Sequence, residues 1–255
     1  MANKYTPINI YNAYLRKLDE SNMKKRQDES NNRYSGSGAG MCMRKHWYAA
    51  NDHQRKPKDD RSLRLLRLGT VLGQDFDEAM KWWTEDEGVK DKFYMEKPIS
   101  CERLNLHGHF DLLIVDKDRK GYLYDYKTAH SYKFKQLFGR KPDGSPANNY
   151  EYQLGTYAFM IEESKDPEQN YCDEIVHMEN IYINKDNSVV KSKVIDLQFK
   201  QFAKDYWNTT YRSCYDKAQP PSFGTFAPAY TWECGDYCDF VYLCDSPYKK
   251  KQEIK

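Results

Sequence analysis

The stretch GHFDLLIVDKDRKGYLYDYKTA, residues 108–129, decides the fold. Its two ends, GHFDLLIV (108–115) and GYLYDYKTA (121–129), are short runs of aromatic and branched residues, which favour strands. The polar link between them is short and ends in glycine, as a hairpin connection requires. We therefore predict two adjacent paired strands, with a third strand supplied by KFYMEKPISCE, residues 92–102.

Three charged residues of this hairpin are predicted to converge. Side chains two positions apart on a strand share a face, so Asp125 and Lys127 in DYK point the same way. If the two runs pair as a hairpin, Asp111 lies opposite Asp125. Two carboxylates at one point suit Mg²⁺, which keeps its remaining positions for water and for phosphate oxygens. The carbonyl of Tyr126 is a further candidate ligand.

Lys127 would serve such a site in one of two ways. It could lower the pKa of an attacking water, or it could neutralise charge that develops on a phosphate. The alternative is that Asp125 and Lys127 form an ordinary ion pair on an exposed strand. The preceding run GYLY is apolar on both faces, which favours a position at the end of a buried strand.

Outward from the hairpin, helical and strand patterns alternate. Helical spacing is present in residues 8–28, 42–50, 63–83, 150–164 and 197–217. A further strand pair is predicted in EIVHMENIYIN (174–184) and KSKVIDL (191–197). We expect one compact body in three regions, an N-terminal helical region (1–60), a core (61–200) and a cysteine-rich C-terminal region (201–255).

Composition narrows the class of protein. Aromatic residues make up 15% of the chain, too many for a disordered protein, although 31% of the residues are charged. A net charge of only +2 means that binding to phosphate must depend on local clusters of Lys and Arg. The N-terminus lacks a signal-peptide pattern and no apolar run is long enough to span a bilayer, so we expect a cytoplasmic protein.

Three motifs in chain order resemble the PD-(D/E)XK nuclease superfamily, specifically its RecB-like branch. They are GHFD with Gly108 and Asp111, DYK with Asp125 and Lys127, and QLGTY (153–157) on a predicted helix. The resemblance implies an α/β, restriction-endonuclease-like core with a central mixed sheet flanked by helices. It also implies catalytic roles for Gln153 and Tyr157, which are neighbours on one helical face.

The resemblance implies a Mg²⁺- or Mn²⁺-dependent deoxyribonuclease, with exonuclease action on DNA ends or single strands more expected than site-specific cutting. Members of this branch often carry a metal-binding His on the helix before the strands, and none is present in LGTVLGQDFDEAM (68–80). Gln74 is our first candidate for that position, with Asp75 or Asp77 as carboxylate alternatives. His107 and His109 flank Gly108 and could also face the site.

Seven cysteines without a secretion signal favour metal ligation over disulfides. Cys234, Cys238 and Cys244 lie within eleven residues, close enough to bind one centre. By resemblance to CRISPR-associated and AddB-type nucleases, Cys42 is the fourth ligand and the centre is a [4Fe–4S] cluster that joins the N-terminal helices to the C-terminal tail. A structural zinc site is the alternative. The remaining cysteines are expected to be buried apolar residues.

Basic and aromatic residues interleave after the DYK strand in HSYKFKQLFGRK, residues 130–141. This composition is typical of contact with a nucleic-acid backbone, and we predict DNA binding by Lys133, Lys135, Arg140 and Lys141. The rival hypothesis is a non-catalytic DNA-binding accessory protein of recombination or CRISPR adaptation, in a prokaryotic or phage-infected cell. Its main support is the missing His; retention of both carboxylates, which repel phosphate, speaks against it.

Overall fold

The computed structural model describes residues 6–30, 32–86, 89–139, 148–224, 226–235 and 237–249. Its helices are α1 (Pro7–Ser30), α2 (Met43–Ala50), α3 (Asp60–Asp86), α4 (Ser131–Phe138), α5 (Asn149–Glu163) and α6 (Phe199–Cys214). Its strands are β1 (Tyr34–Ser35), β2 (Lys92–Cys101), β3 (Leu106–Val115), β4 (Lys120–Ala129), β5 (Glu174–Asn184) and β6 (Val190–Val194).

The strands form one mixed sheet. β3 pairs antiparallel with β2 from Leu106 to Val115 with one lapse at Asp111, so β1 and β4 must share its other edge. β1 pairs with the start of β3, whereas β4 pairs only with residues 112–115 at its end. β4 then runs parallel to β5, and β6 closes the far edge antiparallel to β5. The predicted hairpin and the predicted mixed sheet are both confirmed.

The two faces of the sheet are covered by different helices. On β4, Asp125 contacts Gln153 of α5, whereas the next side chain, Tyr126, stacks on Phe76 of α3 with ring centroids 4.6 Å apart. Because successive strand residues point to opposite faces, α5 and α3 lie on opposite sides of the sheet. α1 packs against α3, and α6 packs against α5.

The main core lies under α5 and α6. Trp207 of α6 is fully buried, and its indole N–H donates to Thr156 Oγ1 of α5 at 2.8 Å. Tyr34 stacks on the same indole, which brings the chain just before α2 into this core. Burial of large apolar side chains of this kind contributes about 1.5–3 kcal/mol each, which makes the α5–α6 layer the principal support of the sheet.

Most predicted elements are present, with two differences. α4 falls in a segment that we interpreted only as basic and aromatic, and β1 is too short to give a periodic pattern. α3 continues through Gly69 and Gly73; at Gly69 the helix approaches Thr128 of β4, where an added Cβ would lie 3.5 Å from the hydroxyl. No helix in the described part of the chain is long and apolar enough to cross a membrane.

Candidate active site

The site forms where β3 and β4 separate. Their pairing stops at Leu112 and Tyr124, one position before Asp111 and Asp125 would meet. Beyond that point the Asp111 side chain replaces the lost strand partner, since its Oδ2 accepts the backbone N–H of Tyr126 at 2.7 Å. The two carboxylates are therefore side by side at the opening between the strands.

Asp125 and Lys127 share a face of β4, as predicted, and form an ion pair. Asp125 is completely buried, and its burial raises the pKa of the carboxyl well above its usual range, while Lys127 opposes the shift and Asp111 adds to it. Burial lowers the pKa of Lys127, but Asp125 and Asp111 outweigh it and the net pKa is raised. Lys127 is therefore a cation in the folded protein, and its Nζ lies 5.0 Å from the ring centroid of Tyr150.

α5 brings the predicted glutamine and tyrosine to the same place. Gln153 Nε2 donates to Asp125 Oδ1 at 3.2 Å and lies 3.4 Å from the Tyr157 hydroxyl. Tyr157 is buried, and burial together with the charges of Asp125 and Asp111 raises the pKa of its phenol. The structure thus brings together all five residues predicted as catalytic.

Two glycines allow Tyr157 to reach this position. An added Cβ at Gly108 would lie 2.7 Å from Tyr157 Cε1, and one at Gly36 would lie 2.8 Å from the same atom. Both distances are shorter than real Cβ contacts, so the ring packs directly on two stretches of bare backbone. The glycine of the Gly-x-x-Asp motif is accordingly a packing requirement of Tyr157.

Two further carboxylates approach Asp111. Asp77 of α3 is half-buried, and burial together with the charge of Asp111 raises the pKa of its carboxyl. Gln74, our first candidate on this helix, is exposed, one turn before Asp77. His109 is also exposed, while His107 is half-buried.

Glu96 is the second of these carboxylates, and sequence analysis missed it. In the β2–β3 register it stands opposite Asp111, at a position where the pairing lapses between Met95 and Lys97. Its φ of 48° is left-handed, which is rare for a residue other than glycine and is typical of functional sites. Although Glu96 is exposed, partial burial of its carboxyl and the charges of Asp111 and Asp77 raise its pKa to about 7.

β5 adds two buried polar side chains that were also missed. Asn180 pairs with Asp125 and Tyr182 pairs with Lys127 in the parallel register, so each lies beside a predicted catalytic residue. Both are at most 1% exposed. No local signal distinguishes them in EIVHMENIYIN, because their position depends on which strand lies next to β4.

Two of the predicted DNA-binding residues, Lys133 and Lys135, lie on α4, which directly follows β4. Lys135 is exposed and Lys133 is half-buried, and burial lowers the pKa of Lys133. Arg140 and Lys141 lie outside the described residues. Lys133 and Lys135 therefore follow shortly after the strand that carries Lys127.

A separate cavity is lined by all four cysteines predicted as ligands, Cys42, Cys234, Cys238 and Cys244. Glu233 also lines this cavity, and its carboxylate accepts the backbone N–H of Cys42 at 2.9 Å and that of Tyr230 at 3.0 Å. Burial raises the pKa of the Cys42 thiol to about 12. An all-thiol donor set around one cavity fits a thiolate-bound metal or cluster.

The candidate ligand side chains lie close together but are not yet arranged as metal ligands. Within the described ranges, no three His, Cys, Asp or Glu side chains already surround a common point at metal-binding geometry. Of the other cysteines, Cys172 and Cys214 are buried and Cys101 is half-buried, and all of the cysteines are unbridged thiols.

Several solved structures match this chain at low sequence identity. Among solved structures, SSO0001 matches with 14% identity and a TM-score of 0.49, covering 89% of this chain and 96% of that one. An alkaline exonuclease (LHK-Exo) from Laribacter hongkongensis matches with 11% identity and a TM-score of 0.44, covering 74% of this chain and 91% of that one. Its complex with dAMP matches over the same shares with 11% identity and a TM-score of 0.42.

No curated protein sequence matches significantly. The sequence model of one family matches residues 38–245, a span that contains strands β2 to β6, both covering helices α3 and α5, and the four cysteines. The chain belongs to the PD-(D/E)XK nuclease superfamily.

Proposed function

We propose that this protein is a Mg²⁺- or Mn²⁺-dependent deoxyribonuclease that hydrolyses phosphodiester bonds at DNA ends or in single strands. The observation that carries the proposal is the convergence of Asp111, Asp125 and Lys127 where β3 and β4 separate. Membership of a nuclease superfamily supports the class of reaction. The substrate and the exonuclease action are our extension.

Carboxylate oxygens are the ligands that hard divalent cations prefer, and the site offers them from four elements. Asp111 and Asp125 come from the central strands, and Asp77 of α3 is a further candidate ligand beside Gln74 on the same helix. Glu96 adds a carboxylate from β2, and the Tyr126 carbonyl is a further candidate. When bound, a divalent cation would stabilise charge on the phosphate oxygens and favour a hydroxide nucleophile at neutral pH.

Lys127 is assigned an electrostatic role. Because its pKa is raised, the ammonium remains charged beside the carboxylates and is a poor general base. A fixed cation of this kind stabilises the negative charge that develops on a phosphate under attack. Gln153 donates to Asp125 Oδ1, which orients the carboxylate, and Tyr157 supports Gln153 from the next turn of α5.

The test uses linear and circular DNA, single- and double-stranded, each with Mg²⁺ or Mn²⁺. We expect the wild type to degrade linear DNA and to leave covalently closed circles intact. Asp125→Asn and Lys127→Ala should each lower cleavage about a hundredfold or more. Asp118→Asn, an exposed change in the β3–β4 link, is the matched control.

Cleavage of circles as fast as of linear DNA would replace exonuclease with endonuclease action. Full activity of Asp125→Asn would reject the site itself. Wild-type protein that binds DNA but cleaves no substrate with either metal would favour the non-catalytic accessory protein.

The proposal includes a thiolate-bound centre at Cys42, Cys234, Cys238 and Cys244, with a [4Fe–4S] cluster preferred and Zn²⁺ as the alternative. It is supported by the cavity that the four thiols share. The spectrum and the iron, sulfide and zinc contents of anaerobically purified protein distinguish these two centres. Cys238→Ser should lower both colour and solubility; an equally stable and soluble metal-free variant would contradict the assignment.

A further inference from the structure

Arg44 lies in the cysteine cavity and is not used by the nuclease site. It is in the first turn of α2, two residues after Cys42, and lines the cavity together with all four cysteines. It is only 6% exposed. A buried cation among buried thiols needs an explanation, because burial of a charge is costly unless it is paired.

The guanidinium is fixed on three sides. Its Nη1 donates to the Pro221 carbonyl at 2.7 Å, and its Nη2 is paired with Asp245. Its Cζ lies 4.3 Å from the ring centroid of Phe223, which stacks against it. These contacts hold the planar group in one orientation.

One nitrogen of the guanidinium has no partner in the part of the chain that the structure describes. The Nε–H of Arg44 is buried and has no acceptor within the described residues. A buried donor without a partner costs about 1–3 kcal/mol, so its retention indicates that an acceptor forms in this cavity when its centre is bound. The guanidinium also interacts with Cys244, which places it next to one of the predicted ligands.

We propose that Arg44 donates a charge-assisted N–H···S hydrogen bond to the thiolate-bound centre held by the four cysteines. This inference rests on the proposed centre and assigns a new role to a residue outside the ligand set. Four thiolates around either Zn²⁺ or a [4Fe–4S]²⁺ core leave an excess of negative charge on sulfur. A fixed cation stabilises that charge, and Lys45 lies at the same cavity to add to it.

For an iron–sulfur centre the contact has a redox consequence. Hydrogen bonds to the sulfurs and nearby positive charge favour the reduced form, which carries one more electron. Asp245 offsets part of the charge of Arg44, but it is largely exposed to solvent, whereas Arg44 is buried beside the thiols. Arg44 is therefore a tuning residue of the centre, not a catalytic residue of the nuclease.

The experiment compares wild type, Arg44→Gln and Arg44→Lys after anaerobic reconstitution with iron and sulfide. Bound iron and sulfide, the visible spectrum and a potentiometric titration followed by electron paramagnetic resonance are measured. Arg55→Gln is the matched control, because Arg55 pairs with Asp239 and stacks on Phe240 near the same tail but is 39% exposed.

We expect Arg44→Gln to shift the one-electron equilibrium toward the oxidised form about tenfold, which corresponds to about 59 mV. Arg44→Lys, which keeps the charge without the planar donor, should fall between Arg44→Gln and wild type, and Arg55→Gln should match wild type. Equal potentials for Arg44→Gln, Arg44→Lys and wild type, at equal cluster content, would overturn the inference.

If the wild type takes up no iron and sulfide, the preference for an iron–sulfur cluster fails separately from the role of Arg44. Co²⁺ then replaces Zn²⁺ as the probe, because its thiolate charge-transfer bands report binding directly. Arg44→Gln should weaken Co²⁺ binding about tenfold relative to Arg55→Gln. Unchanged affinity, or no Co²⁺ bound by the wild type, would reject the inference.

Discussion

Gly108 of β3 and Tyr157 of α5 lie in direct contact, at a distance that leaves no room for a side chain at residue 108. An added Cβ would lie 2.7 Å from Tyr157 Cε1. The glycine and the tyrosine come from different motifs, 49 positions apart in the chain. Their contact is what lets α5 bring Gln153 to the buried Asp125.

Gly108→Ala tests this contact. The extra methyl group must displace the Tyr157 ring, and overpacking of this kind costs about 1–3 kcal/mol in the free energy of unfolding. Urea denaturation followed by circular dichroism measures the change. Gly73→Ala is the matched control: no atom lies within 4 Å of its added Cβ, and in mid-helix alanine should stabilise by about 1 kcal/mol. Equal stability of Gly108→Ala and wild type would show that the ring is free to move.

Gln153→Ala tests the orientation of Asp125. Without the donated hydrogen bond the buried carboxylate loses an orienting partner. We therefore expect the cleavage rate to fall about 10–100-fold and the Mg²⁺ concentration needed for half-maximal cleavage to rise. The rate is measured against Mg²⁺ concentration on end-labelled DNA. Gln201→Ala, on the exposed side of α6, should behave as wild type. Gln153 would have a purely structural role under two conditions. Excess metal would not restore the cleavage rate, and a lower melting temperature would account for the loss.

Glu96→Gln tests whether the carboxylate opposite Asp111 takes part in metal binding. If it is a ligand, removal of its charge should weaken Mn²⁺ binding at least about tenfold, as free Mn²⁺ measured by electron paramagnetic resonance would report. Glu102→Gln, an exposed change just after the same strand, controls for net charge. If Mn²⁺ binding weakens equally in both variants, the loss of net negative charge explains the effect and Glu96 is not a ligand.

His46 predicts a pH dependence of stability. It is fully enclosed between Tyr34, Tyr206 and Trp207, and burial lowers its pKa from 6.5 to about 3. Because the folded-state pKa lies below that of the unfolded chain, the unfolded chain binds the proton first. The contribution of His46 to the free energy of unfolding is therefore fully present above pH 6.5 and is lost as the pH falls toward 3.

The expected slope from His46 approaches about 1.4 kcal/mol per pH unit in the middle of that range. Urea midpoints between pH 7 and pH 4 measure it, with His46→Gln compared with the exposed variant His109→Gln. His46→Gln should flatten the profile. A profile flattened equally by His109→Gln, or by neither variant, would remove His46 as its cause.

The hairpin and its charged residues were predictable because they depend on local pattern. Runs of aromatic and branched residues within residues 108–129 predict the strands, and spacing by two places Asp125 and Lys127 on one face of β4. Spacing by four does the same for Gln153 and Tyr157 on α5. Three of the four cysteines that line the shared cavity form a local cluster in the sequence. The fourth is distant in the chain, and only a family resemblance pointed to it.

Tertiary structure alone decided the rest. Glu96 reaches Asp111 only through the β2–β3 register, which depends on how the chain turns between those strands. Asp77 of α3 lies near Asp111 because Phe76, the residue before it, stacks on Tyr126 and so docks α3 on this side of the sheet. The local sequence therefore determined which residues lie together on each element. Packing between elements determined which of those faces meet, since long-range register and helix rotation leave no trace in local periodicity.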